Sequence, residues 1–113
     1  MPTTYTDLIA SVRRSTTEVS LDELKRRLEA REPYTLLDVR EKEEYRAGFI
    51  PGAISIPRGF LEIQVEGRIP DKATKIVAYC AGGTRSALAA KTLAELGYTN
   101  VETANPGFVR WKD

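Results

Sequence analysis

Apolar and polar positions alternate along the chain in patterns that predict short strands and short helices in turn. Short β-prone segments bounded by turn residues predict strands over residues 35–39, 53–56, 75–79 and 100–103. Helical spacing of apolar residues predicts helices over residues 4–14, 20–30 and 86–96. A charged segment that ends before Gly48 indicates a short helix over residues 40–46, and a last helical turn is expected over 108–111. Residues 59–66 fit either a helix or a wrapped loop. Strands alternating with helices are typical of a three-layer α/β domain with a mainly parallel sheet.

The first two predicted helices suggest how the chain is organised. The helix over residues 4–14 is followed by a polar connection at residues 15–17, so we expect residues 1–17 to form an N-terminal helical extension. The body of the protein would then be residues 18–113. Its first helix begins with Ser20 and Glu23 at the spacing of a capping box, in which Ser20 is the N-cap.

Length and charge restrict the possible partners. A chain of 113 residues suits one domain, and 17 basic against 16 acidic residues leave a net charge of +1. This balance gives no indication of binding to nucleic acid or to an anionic membrane. No apolar run approaches the roughly 20 residues of a membrane span, and the first residues lack the features of a secretory signal. We therefore expect a cytoplasmic location.

The inventory of reactive side chains is short. Histidine is absent, which excludes Cys-His and Ser-His-Asp catalysis and the commonest zinc sites. The single cysteine, Cys80, cannot form an internal disulfide or a C-x-x-C motif. The sequence also shows no cofactor site and no metal ligands at useful spacing, so we expect neither a cofactor nor a metal.

The segment from Cys80 to Ser86 is the strongest candidate for a functional site. It lies between a predicted buried strand and an alanine-rich helix, and it contains two glycines and no proline. Such a loop can direct several backbone N–H groups inward at the positive end of the helix dipole. These donors and Arg85 would favour the thiolate form of Cys80. A buried and inert cysteine is the alternative.

Roles for the charged residues near this loop stay open at this stage. Arg85 could neutralise an incoming anion, or it could turn away and brace the loop through backbone carbonyls. Ser86 could be the helix cap. Asp38 and Arg40 lie at the carboxyl end of a predicted strand, and a structural role is favoured for them, for instance through a pair between Arg40 and Glu44. Arg58 could draw anions to the site or could be an ordinary surface residue.

The spacing Cys80-x-x-Gly83-x-Arg85-Ser86 resembles the active-site loop of the rhodanese family. Further segments resemble the family in the same order along the chain, namely Leu36–Arg40, Gly48–Ala53, Ile56–Gly59, Gly97–Val101 and Gly107 with Trp111. Two positions depart from the family pattern, because Phe49 replaces a histidine and Pro106 replaces the first of two glycines. Cysteine phosphatases use a similar loop that is one residue longer between cysteine and arginine.

The resemblance implies a rhodanese-like domain with a five-stranded sheet and helices on both faces. It also implies sulfur transfer from thiosulfate or another small anionic donor to cyanide or a thiol, through a persulfide on Cys80 as the catalytic residue. The residues implied to bind the substrate are Ala81, Gly82, Gly83, Thr84, Arg85 and Ser86. A protein could also serve as sulfur donor or acceptor. Two alternatives remain, a non-enzymatic sulfur-relay module and a cysteine phosphatase or arsenate reductase.

Overall fold

The computed structural model describes residues 4–112. Within this range the sheet has five strands, which are β1 (Thr17–Val19), β2 (Thr35–Asp38), β3 (Ile54–Ser55), β4 (Ile76–Tyr79) and β5 (Val101–Ala104). The helices are α1 (Tyr5–Arg14), α2 (Leu21–Glu29), α3 (Lys42–Ala47), α4 (Leu61–Arg68), α5 (Thr84–Glu95) and α6 (Phe108–Trp111). A short 3₁₀ turn at Arg58–Phe60 leads into α4, so the ambiguous segment is helical.

The strands follow the order β1-β5-β4-β2-β3, and every neighbouring pair is parallel. This confirms the predicted α/β domain with a parallel sheet. The strand that the residue pattern missed is β1, which begins at Thr17, the last residue of the predicted polar connection, and ends at Val19. Thr17 and Glu18 are exposed and only Val19 is buried, so this edge strand lacks an apolar run that could reveal it.

Side chains that alternate along the strands pack into two separate apolar layers, one on each face of the sheet. On one face, Leu37 and Ile76 pack with Leu61 and Val65 of α4 and with Leu93 of α5. The opposite face packs against α2, α3 and α6, and its members include Leu24, Leu36, Val77, Tyr79 and Phe108. Helix α1 contacts α5 on the outside. The three-layer architecture expected from the sequence is therefore present.

The helix ends agree with the sequence in one case and correct it in another. The amide of Glu23 donates to Ser20 Oγ at 3.1 Å, as predicted for the N-cap of α2. Helix α5 begins at Thr84 with Gly83 as its N-cap, so the predicted start at Ser86 was wrong. Ser86 lies inside the first turn, and its hydroxyl donates to the Gly83 carbonyl at 3.2 Å.

None of the helices in the part of the chain that the structure describes has the length and apolar character to cross a membrane.

Candidate functional site

Cys80 directly follows β4, at the carboxyl edge of the sheet where parallel α/β folds place their ligands. Its side chain is buried, with 1% of the residue exposed. The Gly83 amide donates to Cys80 Sγ at 3.0 Å and the Ser86 amide donates at 3.4 Å. Sγ also lies 3.6 Å from Ser86 Oγ. The loop thus curls around the sulfur, as its glycines and its position before a helix predicted.

Gly83 owes its place in this loop to its backbone conformation. Its φ of 102° lies in the left-handed region, which residues with a Cβ rarely adopt. A Cβ atom here would also lie 2.8 Å from Oδ1 of Asn105, closer than side chains approach. Because the Gly83 amide contacts Cys80 Sγ, this conformation is part of the environment of the sulfur.

The remaining loop residues lie around this core at different depths. Ala81, Thr84 and Arg85 are half-buried, Gly82 is exposed, and Ser86 is buried. Thr84 and Arg85 already belong to the first turn of α5. The structure therefore brings all seven predicted loop residues together at the start of one helix.

Helix α6 supports the loop from the other end of the chain. The amides of Phe108 and Val109 donate to the carbonyl oxygens of Cys80 and Ala81, at 2.8 and 3.2 Å. Gly107 lies so close that a Cβ atom there would be 2.0 Å from the Cys80 carbonyl oxygen. The sequence marked Gly107 only as part of a family pattern, whereas the structure shows that close backbone approach requires it.

Arg85 forms a bidentate ion pair with Glu44 of α3. Its two terminal nitrogens donate to the carboxylate oxygens at 2.7 and 3.1 Å. Neither role considered from the sequence describes this, because the partner is a carboxylate and not a backbone carbonyl or an incoming anion. The hydrogen bond from Arg85 lowers the pKa of Glu44, and Glu44 correspondingly raises the pKa of Arg85.

A second, buried pair joins Asp38 to Arg40 at the end of β2. Arg40 donates to Asp38 Oδ2 at 2.7 Å and to the Gly48 carbonyl at 2.7 Å. The predicted pair between Arg40 and Glu44 is wrong, since Glu44 binds Arg85 instead. The proposed structural role for Asp38 and Arg40 nevertheless agrees with this geometry, because both side chains are almost fully buried.

Tyr79, which precedes Cys80, belongs to the same buried network, and sequence reasoning assigned it no role. Its hydroxyl donates to Asp38 Oδ2 at 2.6 Å and accepts from the Ile50 amide at 3.1 Å. Burial, followed by the hydrogen bond to Asp38, raises the pKa of Tyr79 well above its usual range. The network therefore joins the end of β4 to the segment around Ile50.

Arg58 and Phe49, two residues singled out in the sequence, contact side chains outside the Cys80 loop. Arg58 donates to Glu62 at 3.1 Å and to Thr92 Oγ1 at 2.9 Å, so it joins the start of α4 to α5 and is paired with a carboxylate. Phe49 is 43% exposed and stacks on Tyr45, with ring centroids 4.3 Å apart. An exposed apolar ring thus occupies the position of the family histidine.

The assembled loop is suited to negative charge on sulfur. Two N–H groups already point at Cys80 Sγ, and the first turn of α5 adds its positive dipole. Hydrogen bonds to a charged acceptor are stronger than those between neutral groups. The loop therefore offers N–H donors to an acceptor at the position of Sγ without any histidine.

The amino-acid sequence is similar to those of two bacterial proteins whose names refer to sulfur. The chain is 35% identical over 94 residues to the putative sulfur carrier protein YrkF of Bacillus subtilis, covering 83% of this chain and 50% of YrkF. It is 38% identical over 68 residues to the thiosulfate sulfurtransferase PspE of Escherichia coli, covering 60% of this chain and 65% of PspE. The chain thus spans less than two thirds of either relative.

A solved structure from Rhodopseudomonas palustris, of a protein described as of unknown function and as a possible tyrosine phosphatase, superposes with a TM-score of 0.87. The two chains are 30% identical, and the match covers 100% of this chain and 95% of the other. The family model that matches residues 20–113 is that of the rhodanese-like domain. This match covers most of the protein, including the whole Cys80 loop, and the chain therefore belongs to the rhodanese-like domain family.

Proposed function

We propose that this protein moves a sulfane sulfur from thiosulfate or another anionic donor to cyanide or a thiol, through a persulfide on Cys80. The observation that carries the proposal is the convergence of the Gly83 and Ser86 amides on Cys80 Sγ. The name of PspE, a thiosulfate sulfurtransferase, supports thiosulfate as a donor. Cys80 is the catalytic nucleophile of this proposal, and the substrate-binding residues are Ala81, Gly82, Gly83, Thr84, Arg85 and Ser86.

The first step forms the persulfide. The Cys80 thiolate attacks the outer sulfur of thiosulfate, and a new S–S bond forms while the S–S bond of thiosulfate breaks. Sulfite leaves with the electron pair of the broken bond. The outer sulfur remains on Cys80 as a persulfide that carries one negative charge.

The second step returns the enzyme to its starting form. Cyanide or a thiolate attacks the outer sulfur of the persulfide, and the Cys80 thiolate leaves. With cyanide the product is thiocyanate. Negative charge stays on sulfur at each stage, so the inward N–H groups and the helix dipole stabilise every resting form of the site.

Mass spectrometry tests the proposal directly. After incubation with thiosulfate and without reductant, we expect intact protein heavier by one sulfur atom, located on Cys80. Cyanide should remove this sulfur and yield thiocyanate in equal amount. The Cys80→Ser variant should fold normally and do neither. Folded wild-type protein that gains no sulfur and forms no thiocyanate would refute catalysis by this route.

A sulfur-relay module is the second candidate, and the name of YrkF as a putative sulfur carrier favours it. In this case a partner protein would deliver the persulfide sulfur and another would remove it. Slow reaction with free thiosulfate, combined with rapid transfer from a protein persulfide to Cys80, would identify this function.

Phosphatase or arsenate reductase activity is the third candidate, raised by the loop and by the description of the Rhodopseudomonas structure. Two observations argue against it. Arg85 follows Cys80 by five positions, one fewer than in the phosphatase loop. Both terminal nitrogens of its guanidinium are also paired with the Glu44 carboxylate. Hydrolysis of aryl phosphates by the unmodified protein would reverse this ranking.

The division into an extension at residues 1–17 and a domain at residues 18–113 is likewise a proposal. The family model begins at residue 20, which supports a boundary in this region. Strand β1 crosses the proposed boundary and pairs with β5, which ties the extension to the sheet. A cytoplasmic location stays a prediction from the sequence.

A further inference from the structure

Arg13, in the last turn of α1, brings a guanidinium group beside the Cys80 loop. A Cβ atom at Gly83 would lie 3.6 Å from Nη2 of Arg13. The amide nitrogen of the same glycine lies 3.0 Å from Cys80 Sγ. One loop residue therefore separates the guanidinium from the sulfur. Arg13 also precedes residues 20–113, so the match to the family does not account for it.

Arg13 has no ion-pair partner among the residues that the structure describes. Within residues 4–112, its guanidinium forms no hydrogen bond and no ion pair. Asn105, which approaches Gly83 from the same side, uses its amide to bind Glu18 at 2.6 Å. No ion pair joins Glu18 to Arg13 among the described residues.

Two helix ends act on this cation with opposite sign, because Arg13 lies in the last turn of α1 and beside the first turn of α5. Gly83 is the N-cap of α5, and the N-terminus of a helix carries partial positive charge. Cations stabilise the opposite end of a helix, so a guanidinium beside Gly83 adds like charge to like charge. An anion bound at the loop would reverse the sign of this interaction.

Arg85 offers less uncompensated positive charge to an anion at the loop than Arg13 does. Both of its terminal nitrogens are bound by Glu44, which compensates its positive charge. The neighbouring Arg14 is exposed, and within the described range it too lacks an ion pair, but nothing places it against the loop. Arg13 and Arg14 therefore differ in location and not in formal charge.

We infer that Arg13 recognises the anionic sulfur donor at the Cys80 loop, as an electrostatic binding residue contributed by the N-terminal helix. The chemical class of its ligand is a small dianion such as thiosulfate, and this identification rests on the proposed function. Through the field of its charge, Arg13 raises the affinity of the loop for the donor and the rate at which Cys80 receives sulfur.

Thiosulfate binding to an unreactive form of the protein tests this inference. In a Cys80→Ser background, thiosulfate is titrated while the backbone amide resonances of Gly82 and Gly83 are followed by NMR. We expect Arg13→Gln to weaken thiosulfate binding by about three- to tenfold and Arg14→Gln by less than about twofold. Arg13→Lys keeps the charge and should retain most of the affinity. Amide spectra outside the loop check that each variant is folded.

The same substitutions in the protein with Cys80 intact give a second measurement. The rate of persulfide formation from thiosulfate should fall with Arg13→Gln by a similar factor, and the loss should shrink at high salt. Equal effects of Arg13→Gln and Arg14→Gln, or no response of the loop amides to thiosulfate, would overturn the inference. If the wild-type protein binds thiosulfate through Arg13 but gains no sulfur, the proposed function fails and the inference stands.

Discussion

Two arginine–carboxylate pairs lie near the carboxyl edge of the sheet, and they differ mainly in burial. The Arg40 and Asp38 side chains are 5% and 0% exposed, whereas those of Arg85 and Glu44 are 36% and 35% exposed. Both pairs are bidentate and both lie close to the Cys80 loop. We call the buried Arg40–Asp38 pair the scaffold pair, because water does not reach its charges. We call the Arg85–Glu44 pair the adjustable pair, because water screens its charges.

The buried pair is satisfied from several directions. Asp38 accepts from the backbone and side chain of Arg40 and from the Tyr79 hydroxyl. A buried charge that loses its partner retains the full cost of leaving water, whereas an exposed one is rehydrated. The two pairs should therefore respond very differently when one partner is removed.

Asp38→Ala should produce the largest loss of stability. Removing the carboxylate leaves the buried Arg40 guanidinium unpaired, which costs about 3–5 kcal/mol in comparable sites. Urea unfolding followed by circular dichroism measures the effect. Glu44→Ala is the matched control and should lose less than about 1 kcal/mol. Equal losses in the two variants would contradict the division into scaffold and adjustable pair.

Gly107→Ala tests whether the contact between α6 and the Cys80 loop holds the loop in place. A Cβ at this position would lie 2.0 Å from the Cys80 carbonyl oxygen, so α6 must shift away from the loop. Overpacking of this kind costs about 1–3 kcal/mol, and transfer of sulfur to Cys80 should slow in parallel. Gly67→Ala, in a helix where the added Cβ meets nothing, should leave both unchanged or slightly raise stability. A fully active Gly107→Ala variant would show that α6 does not position the loop.

The contrast between the pairs also marks what the sequence could predict. The Cys80 loop could be predicted because its features are close together in the sequence. They are two glycines, a lone cysteine, and the strand and helix on either side. A structural role for Asp38 and Arg40 could be predicted because both lie at the carboxyl end of an apolar strand. The choice of Glu44 as partner for Arg85 joins residues 41 positions apart and depends on how α3 and α5 dock. No local pattern encodes that choice, and the sequence reading assigned Glu44 to the wrong arginine.

Strand β1 and the location of Arg13 could not be predicted from the sequence, because both depend on tertiary contacts. Strand β1 has one buried residue, and its pairing with β5 is decided by tertiary contacts rather than by its own composition. Arg13 looks like any basic residue at a helix C-terminus. Only the path of α1 over α5 brings it to Gly83.

Tyr79→Phe should have an intermediate effect that depends on pH. Its hydroxyl donates to Asp38 and accepts from the Ile50 amide, so its removal should cost about 1–3 kcal/mol near neutral pH. Folding raises the pKa of Tyr79 from its ordinary value of 10.0, and the folded state therefore holds the proton more tightly than the unfolded chain. Above the unfolded pKa, the wild-type protein should lose up to about 1.4 kcal/mol per pH unit through this residue.

The measurement for Tyr79 is a difference between two unfolding curves. The stability gap between wild type and Tyr79→Phe should narrow from about pH 9 to about pH 11, since other titrating groups cancel in the comparison. A gap that stays constant over this range would mean that the hydroxyl ionises equally in both states.

Glu44→Gln should have the smallest effect on stability and is the sharpest probe of the adjustable pair. Glutamine removes the charge but can still accept the Glu41 amide that caps α3. Pairing with Arg85 lowers the Glu44 pKa below its ordinary value of 4.5, so its contribution is complete above pH 4.5 and is lost as pH falls through the lowered folded value. Because both side chains are about one-third exposed, water screens the pair, and the free energies of unfolding of wild type and Glu44→Gln should differ by no more than about 1 kcal/mol at neutral pH. This difference in free energy should disappear in acid.

The same variant should also change the kinetics, since Arg85 is no longer paired with a charge. The KM for thiosulfate should fall by about two- to fivefold at neutral pH. An unchanged KM would place the Arg85 charge outside the reach of the donor and leave Arg13 as the cation that the donor meets.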